Sequence, residues 1–113
     1  MRLKAEIWVQ AYIRICAAHG IPAMLVKRGD ADAGVVYIKL ARLDGTAEVF
    51  QPAPAGLDGL ESDRRWVRVR PEPMPEADAD ALIRREREFD SDLWIVEVED
   101  AKGRHCLDEW LTS

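Results

Sequence analysis

The sequence predicts an α+β domain: a mainly antiparallel sheet of five strands with two helices, in the order α-β-β-β-β-α-β. Two segments, residues 3–19 and 76–89, repeat apolar side chains every three or four positions, as amphipathic helices do. The remaining runs are short and β-rich, and an Asp-Gly dipeptide joins two of them. So few helices beside consecutive strands are typical of α+β folds. A mixed sheet is the alternative, and 113 residues fit one compact domain, 1–113.

The first helix is predicted over residues 3–19. Gly20, followed by Pro22, is typical of a helix end. The helix presents one apolar face, as a helix packed on a sheet requires. That face carries Ala5, Trp8, Val9, Tyr12, Ile15 and Cys16.

Residues 23–28 form a short predicted strand, and a hairpin follows over residues 34–51. Asp44-Gly45 favours a tight turn that places Leu43 opposite Thr46. In that register Lys39 lies opposite Phe50 and Ala41 opposite Glu48. One face then holds Val36, Ile38, Leu40, Ala47 and Val49, with Val35 and Tyr37 on the other. Because the first hairpin strand is apolar on both sides, we expect a helix over each face and three layers in total.

The second half of the chain supplies two further strands, residues 64–70 and 93–99, around the helix at 76–89. The inner face of this helix is predicted to carry Ala79, Leu82, Ile83 and Phe89. Residues 52–63 are rich in Pro and Gly and predict a connecting loop. The final segment ends with Leu107, Trp110 and Leu111, which we expect beneath the sheet.

The segment RRWVRVR, residues 64–70, is the clearest candidate for a functional surface. Alternation along a strand puts its binding candidates on one face: Arg64, Trp66, Arg68 and Arg70. Guanidinium groups recognise carboxylate or phosphate and stack on indole rings. In one interpretation these arginines pair with Glu97 and Glu99 of the last strand. In the other, they form an exposed surface for a small anion, a planar ligand or an acidic peptide.

Composition restricts the function classes. A net charge of -5 disfavours general nucleic-acid binding. Glu6, Gln10 and Arg14 interrupt the apolar run that a signal peptide needs. No segment approaches the roughly 18 apolar residues of a membrane span. The sequence therefore predicts a soluble cytoplasmic protein with no membrane partner.

The cysteines and histidines form no recognisable catalytic or metal motif. Cys16 and Cys106 are interpreted as buried thiols. In an extended segment, His105 and Cys106 point to opposite sides, which disfavours a nucleophile–base dyad. Cys16 and His19 are the one pair with metal-ligand spacing, so no zinc site is predicted.

Other polar motifs also lack a cofactor signature. Asp30 and Asp32 resemble the start of a calcium loop but lack its later ligands, so turn-stabilising roles are favoured. The carboxylates Asp90, Asp92, Asp100, Asp108 and Glu109 show no paired acid–base arrangement. The chain has no glycine-rich phosphate loop, and no cofactor is predicted.

Five motifs together resemble one known family: RRWVRV, REREFDSDLWIVEVED, GRHCLDEW, the opening LKAEIWVQAYIR and the RGDADAG–hairpin–LDGT passage. The chain is similar over nearly its whole length to domain-of-unknown-function family 1491, a group of small bacterial proteins. That family has no assigned activity, so the resemblance implies one complete compact domain and no catalytic residues.

We interpret the chain as a non-enzymatic interaction protein that binds a protein partner, or its own copy as a homodimer, through a sheet surface or edge. The absence of a catalytic set and the presence of four tryptophans support this hypothesis. The alternative is a small enzyme or anion-binding module. Its pocket would lie near Arg65, Arg68, His105 and Asp100, provided that the two last long strands are neighbours.

Overall fold

The computed structural model describes residues 4–52 and 65–108. Predictions for Arg64, for most of the 52–63 loop and for Trp110 and Leu111 lie outside the described residues. The helices are α1 (Ala5–Ala18) and α2 (Glu76–Phe89). The strands are β1 (Ala23–Lys27), β2 (Val36–Ala41), β3 (Thr46–Pro52), β4 (Trp66–Arg68), β5 (Met74–Pro75) and β6 (Trp94–Glu99). The prediction of five strands is corrected to six, because the two-residue β5 also joins the sheet.

The sheet is mixed and mostly antiparallel, which confirms the α+β class. Its strand order is β1-β6-β2-β3-β4, and β5 pairs with the same edge of β3 as β4 does. The one parallel pair in the described sheet joins β2 to β6. The last strand in the chain thus inserts between the first two, so β6 is central while β1 lies at an edge.

The two helices cover opposite faces of the sheet, as the doubly apolar β2 predicted. The α1 face buries Val9, Tyr12 and Cys16 of the helix against a larger sheet cluster. That sheet cluster consists of Val36, Ile38, Leu40, Phe50, Trp66, Trp94, Val96 and Val98. The α2 face buries Ala79 and Ile83 against Tyr37, Ala47, Val49, Met74, Leu93 and Ile95. Leu107 of the final segment is fully buried on the α1 face, in agreement with its predicted place beneath the sheet.

The predicted hairpin exists, but its register is shifted by one residue. Lys39 lies opposite Val49, not Phe50, and Ala41 lies opposite Ala47, not Glu48. The connection is longer than a two-residue turn. The N–H of Arg42 donates to the carbonyl of Thr46 (3.0 Å), and three residues lie between them. Since side chains alternate, this shift moves Ala47 and Val49 to the α2 face, which corrects their predicted face.

The helix ends use backbone partners. The N–H groups of Ala5 and Glu6 donate to the carbonyls of Asp32 (3.3 Å) and Ala31 (3.0 Å), so the 30–33 turn caps α1. Within that turn, Asp30 Oδ2 accepts the N–H groups of Asp32 and Ala33, which confirms its turn-stabilising role.

Phe89 corrects the predicted inner face of α2. Ala79 and Ile83 are buried and Leu82 packs beside them, but Phe89 is 84% exposed. Helical periodicity gives the direction of a side chain around the axis, and Phe89 does project on the same side as Leu82. It is, however, the last residue of the helix, and periodicity does not indicate how far the packed surface extends.

Candidate functional site

The Arg–Trp segment lies at the β4 edge of the sheet. The strand is shorter than predicted, since it ends at Arg68 and a bend follows over residues 69–70. Trp66 is only 2% exposed. Its ring stacks on Trp8 (centroids 4.7 Å apart), and Trp8 stacks on Tyr12 (5.1 Å). Trp66 therefore contributes to the core on the α1 face, and its indole N–H has no hydrogen-bond partner within the described part of the chain.

Arg68 pairs with a residue that the sequence did not indicate. Its Nε donates to Glu48 Oε1 (2.8 Å), and Arg42 Nη1 donates to the other oxygen of the same buried carboxylate (2.8 Å). The interpretation in which the arginines pair with Glu97 and Glu99 does not hold for Arg68, because β3 is the neighbour of β4 and β6 is two strands further away. Both guanidinium groups are about two-thirds buried beside Glu48, so one carboxylate orients two cations.

Two further arginines of this segment lie within the described residues. Arg65 and Arg70 are exposed, and Arg64 lies outside the described residues. A binding role for Arg64, Trp66, Arg68 and Arg70 remains a prediction. Trp66 and Arg68 already have intramolecular partners, which a ligand would have to rearrange.

His105 is buried next to the same cluster. The centroid of its ring lies 5.2 Å from that of the Phe50 ring. The Arg68 guanidinium carbon lies 5.5 Å from the same Phe50 centroid. Nδ1 accepts the N–H of Leu107 (3.0 Å). Burial lowers the pKa of His105. The charge of Arg68 also lowers this pKa, whereas the carboxylates Asp108 and Glu48 raise it by less than the other two effects lower it. A neutral imidazole is therefore favoured here at neutral pH.

The alternative pocket is only partly assembled. Arg68 and His105 both contact the ring of Phe50. The strands β4 and β6, which were expected to be neighbours at this pocket, are not adjacent in the sheet. Asp100 is engaged elsewhere. Its carboxylate accepts the backbone N–H of Arg104 (2.7 Å) and the guanidinium of the same residue (2.9 and 3.0 Å). The chain segment after β6 is thereby closed into a turn.

Cys16, Cys106 and Tyr12 form a second cluster on the α1 face. Both cysteines are free thiols, Cys16 fully buried and Cys106 half-buried. Burial raises the pKa of Cys16 to about 12; an interaction with Tyr12 lowers this pKa, and interactions with Cys106 raise it. In the part of the chain that is described, no group of three or more His, Cys, Asp or Glu side chains could hold a metal ion.

Lys39 forms a buried ionic cluster that sequence reasoning missed. Only 5% exposed, it donates to Glu76 Oε2 (2.9 Å) and Asp80 Oδ1 (2.6 Å), and Glu97 Oε2 lies 3.9 Å away. Burial opposes the charge, but the hydrogen bonds that Lys39 donates to Asp80 and Glu76 outweigh this effect and raise the pKa of Lys39. A lone lysine in an apolar strand, with acids four residues apart at a helix start, is the signal that could have indicated it.

The edge strand β1 carries a run of consecutive exposed apolar side chains. Three consecutive side chains, Met24, Leu25 and Val26, are 49%, 43% and 49% exposed. β1 pairs with β6 on one side, and no other described strand covers its second side. The ammonium of Lys27 turns away from this edge and donates to the carbonyls of Ser91 (2.6 Å) and Leu93 (3.1 Å). An edge of this kind lacks the outward charge that commonly prevents strand pairing.

These features define a small three-layer α+β domain with an internally paired arginine cluster and one open apolar sheet edge. The profile of the family described as "Protein of unknown function (DUF1491)" matches residues 3–108. The chain belongs to this family, as its motifs indicated.

Solved structures of relatives show the same fold. A crystal structure of a DUF1491 family protein from Caulobacter crescentus CB15 is 36% identical, with a TM-score of 0.81 and 100% of both chains covered. An NMR structure of a DUF1491 family protein from that organism is 38% identical (TM-score 0.81; 100% of this chain and 99% of that one). The solution structure of protein Atu0922 from A. tumefaciens is 37% identical (TM-score 0.74; 88% and 86% covered). No curated protein matches the chain.

A helix that spans a bilayer needs about 20 mostly apolar residues. Among the described residues, no helix is both long and apolar enough to span a membrane.

Proposed function

We propose that this protein is a non-enzymatic interaction protein that self-associates through the open edge of β1, which joins the sheets of two copies. The observation that carries the proposal is the run of three exposed apolar side chains, Met24, Leu25 and Val26, on an edge strand. Addition of a strand to an exposed edge is a recurring mode of recognition, because the backbone supplies the hydrogen bonds.

The backbone groups of β1 are arranged for a second partner. The N–H of Glu99 donates to the carbonyl of Pro22 (3.0 Å), and Met24 lies opposite Glu97. Because hydrogen-bonded and non-bonded pairs alternate in an antiparallel ladder, Met24 bonds to β6. Ala23 and Leu25 therefore direct their N–H and C=O groups outward, to the uncovered side.

A two-fold axis at Met24 would pair all the outward N–H and C=O groups of Ala23 and Leu25 with those of a second copy. Leu25 of each copy then faces Ala23 of the other in hydrogen-bonded pairs, and the two Met24 residues face each other in a non-bonded pair. This register stops before the irregularity between Leu25 and Lys27, which bends the strand.

Charge also favours a second copy as the occupant of the edge. Although the chain carries a net charge of -5, the contact strand presents no outward charge. Lys27 is bound to backbone carbonyls, and Arg28 pairs with Glu6 of α1. Two copies can therefore approach along β1 without placing like charges opposite each other.

Sedimentation velocity from about 1 to 500 μM tests the proposal, over the concentration range in which weak dimers form. The wild type is expected to shift from monomer to dimer. Leu25→Pro should remain monomeric, because it removes an outward N–H and leaves the β1–β6 ladder intact. Phe89→Ser removes an exposed apolar side chain elsewhere and should dimerise as the wild type does.

Oppositely charged substitutions of Met24, at the proposed two-fold axis, test whether β1 forms the dimer interface. Met24→Lys and Met24→Glu should each weaken dimerisation, since each places like charges opposite one another. An equimolar mixture of the two variants should recover it. A wild type that is monomeric at 500 μM would contradict self-association, and a dimer unaffected by either variant would place the interface elsewhere.

Anion binding near Arg68 and His105 is the second candidate function. It is supported by the convergence of both side chains on the ring of Phe50. Thermal shift with phosphate, nucleotides and phosphosugars tests it, since ligand at 100 times its Kd adds about 2.7 kcal/mol to stability. An anion that stabilises the wild type but not Arg68→Ala would support this function, and no stabilisation by any of them would contradict it.

A further inference from the structure

The C-terminal segment at residues 104–108 is joined to α1 by side chains that include both cysteines of the chain. The Tyr12 hydroxyl donates to the carbonyl of His105 (2.6 Å). One helical turn later, Cys16 lies fully buried in the cluster that also contains Tyr12, and an interaction with Cys106 is among the causes that raise its pKa. Cys106 packs against the same buried cluster that contains Cys16. Two cysteines 90 positions apart in sequence are thus brought to the same buried cluster.

We propose that Cys16 and Cys106 are an oxidisable dithiol that forms an intrachain disulfide under a two-electron oxidant such as hydrogen peroxide. The Cys106 sulfur attacks one peroxide oxygen, the O–O bond breaks, and water leaves as a sulfenic acid forms on Cys106. The Cys16 sulfur then displaces the hydroxyl group, which takes up the thiol proton and leaves as a second water. Two thiols are oxidised and one peroxide is reduced to two waters.

The unequal exposure of the two thiols sets the order of these steps. Cys16 is completely buried, so Cys106, which is half-buried, is the sulfur that an oxidant reaches first. Burial also raises the pKa of Cys16 to about 12, so this residue is the resolving thiol and not the initial nucleophile.

The backbone of Cys106 has a φ of 58°, in the left-handed region that residues other than glycine rarely adopt. The neighbouring ring of His105 packs on Phe50, and Cys106 packs against the buried cluster that contains Cys16. The dithiol lies on the α1 face, so it is independent of the interface proposed at β1.

The test is treatment of reduced protein with a slight excess of hydrogen peroxide at pH 7.5, followed by intact-mass analysis and non-reducing peptide mapping. The monomer should lose the mass of two hydrogen atoms, and one cross-linked peptide should contain both cysteines. Dithiothreitol should restore the original mass. Cys16→Ser and Cys106→Ser each serve as controls that cannot form the bridge.

Thermal unfolding provides a second readout. A cross-link that closes a loop of this length restricts the unfolded chain, so the oxidised wild type should unfold at least about 5 °C above the reduced form. Peroxide should not raise the Tm of either serine variant. Oxidation of Cys106 to sulfinic acid while Cys16 remains a thiol, or bridges only between chains, would overturn the proposal.

Discussion

The ammonium nitrogen of Lys39 lies 2.6 Å from Oδ1 of Asp80, which joins the middle of the sheet to the first turns of α2. Glu76, at the start of the same helix, accepts a second hydrogen bond from this lysine (2.9 Å). α2 has no side-chain cap at its N-terminus. The contact with Lys39 is therefore one of the interactions that anchor this end of α2 over the sheet.

Replacement of Lys39 by methionine should destabilise the fold by about 1–3 kcal/mol, the range for lost hydrogen bonds to charged groups. Methionine fills the volume of the lysine stem but leaves Glu76, Asp80 and Glu97 without their shared cation. Urea denaturation at pH 7 measures the change. Because the pKa of Lys39 is raised from 10.5, its contribution to stability is fully present below about pH 10 and is lost only as the pH rises further, so the loss should be the same at about pH 6 and about pH 8. A loss that differs between these two pH values would contradict this explanation.

Glu48→Gln should lower the free energy of unfolding by about 1–3 kcal/mol, since it removes a buried charge that orients Arg42 and Arg68. The shape is conserved, so the effect is electrostatic. A double-mutant cycle with Arg68→Met in urea denaturation isolates the coupling. Arg70→Met, at an exposed arginine, is the matched control and should be near neutral. Additive effects of Glu48→Gln and Arg68→Met would show that the pair is not coupled.

Asp100→Asn should reduce stability at neutral pH but not in strong acid. Hydrogen bonds from the Arg104 side chain lower the pKa of Asp100 from 3.8 to about 2. Because the folded state binds this proton less tightly than the unfolded state, the stabilisation is present above about pH 4 and is lost as the pH falls towards 2. Tm measured from pH 7 to pH 2 should show the wild type and variant converging. Glu88→Gln, at an exposed carboxylate of α2, is the control.

Gly29→Ala should destabilise the protein through a steric clash. A Cβ at this position would lie 2.1 Å from the carbonyl oxygen of Asp92 and 2.6 Å from the carbonyl carbon of Leu93. Both are backbone atoms at the entry to β6, so a cost of about 1–3 kcal/mol is expected by analogy with overpacked cores.

Gly20→Ala is the comparison for this variant, because Gly20 faces open space but has a φ of +72°. Its cost should be about 1–2 kcal/mol and purely conformational. Hydrogen exchange separates the two mechanisms: Gly29→Ala should increase amide exchange in β1 and β6, whereas Gly20→Ala should act at the end of α1. Unchanged exchange in β1 and β6 for Gly29→Ala would contradict the steric explanation.

The strand that carries Trp66 and Arg68 shows how far pattern reasoning extends to the candidate site. Alternation correctly predicted that these two side chains share a face. It did not indicate that this face is covered by Trp8 and Tyr12 of α1, or that Glu48 is the partner of Arg68. A side-chain period describes one strand, whereas burial and pairing depend on which strand and helix lie next to it.

The exposure of the β1 edge likewise depends on which strands lie next to it. The short strand at residues 23–28 was predicted, but its position at the edge depends on β6, which enters the sheet from the far end of the chain. The packing of Cys106 against the buried cluster that contains Cys16 likewise requires the complete fold.

Local periodicity and turn chemistry sufficed for the two helices, the hairpin and the three layers, because these patterns are carried by residues that are close in sequence. The family followed from a resemblance of motifs along the chain. The hairpin register, the central place of β6, the partners of Lys39 and Arg68 and the open side of β1 depended on contacts between distant segments. Such contacts arise when all apolar faces are buried at once, and no single segment of this chain contains the information that selects them.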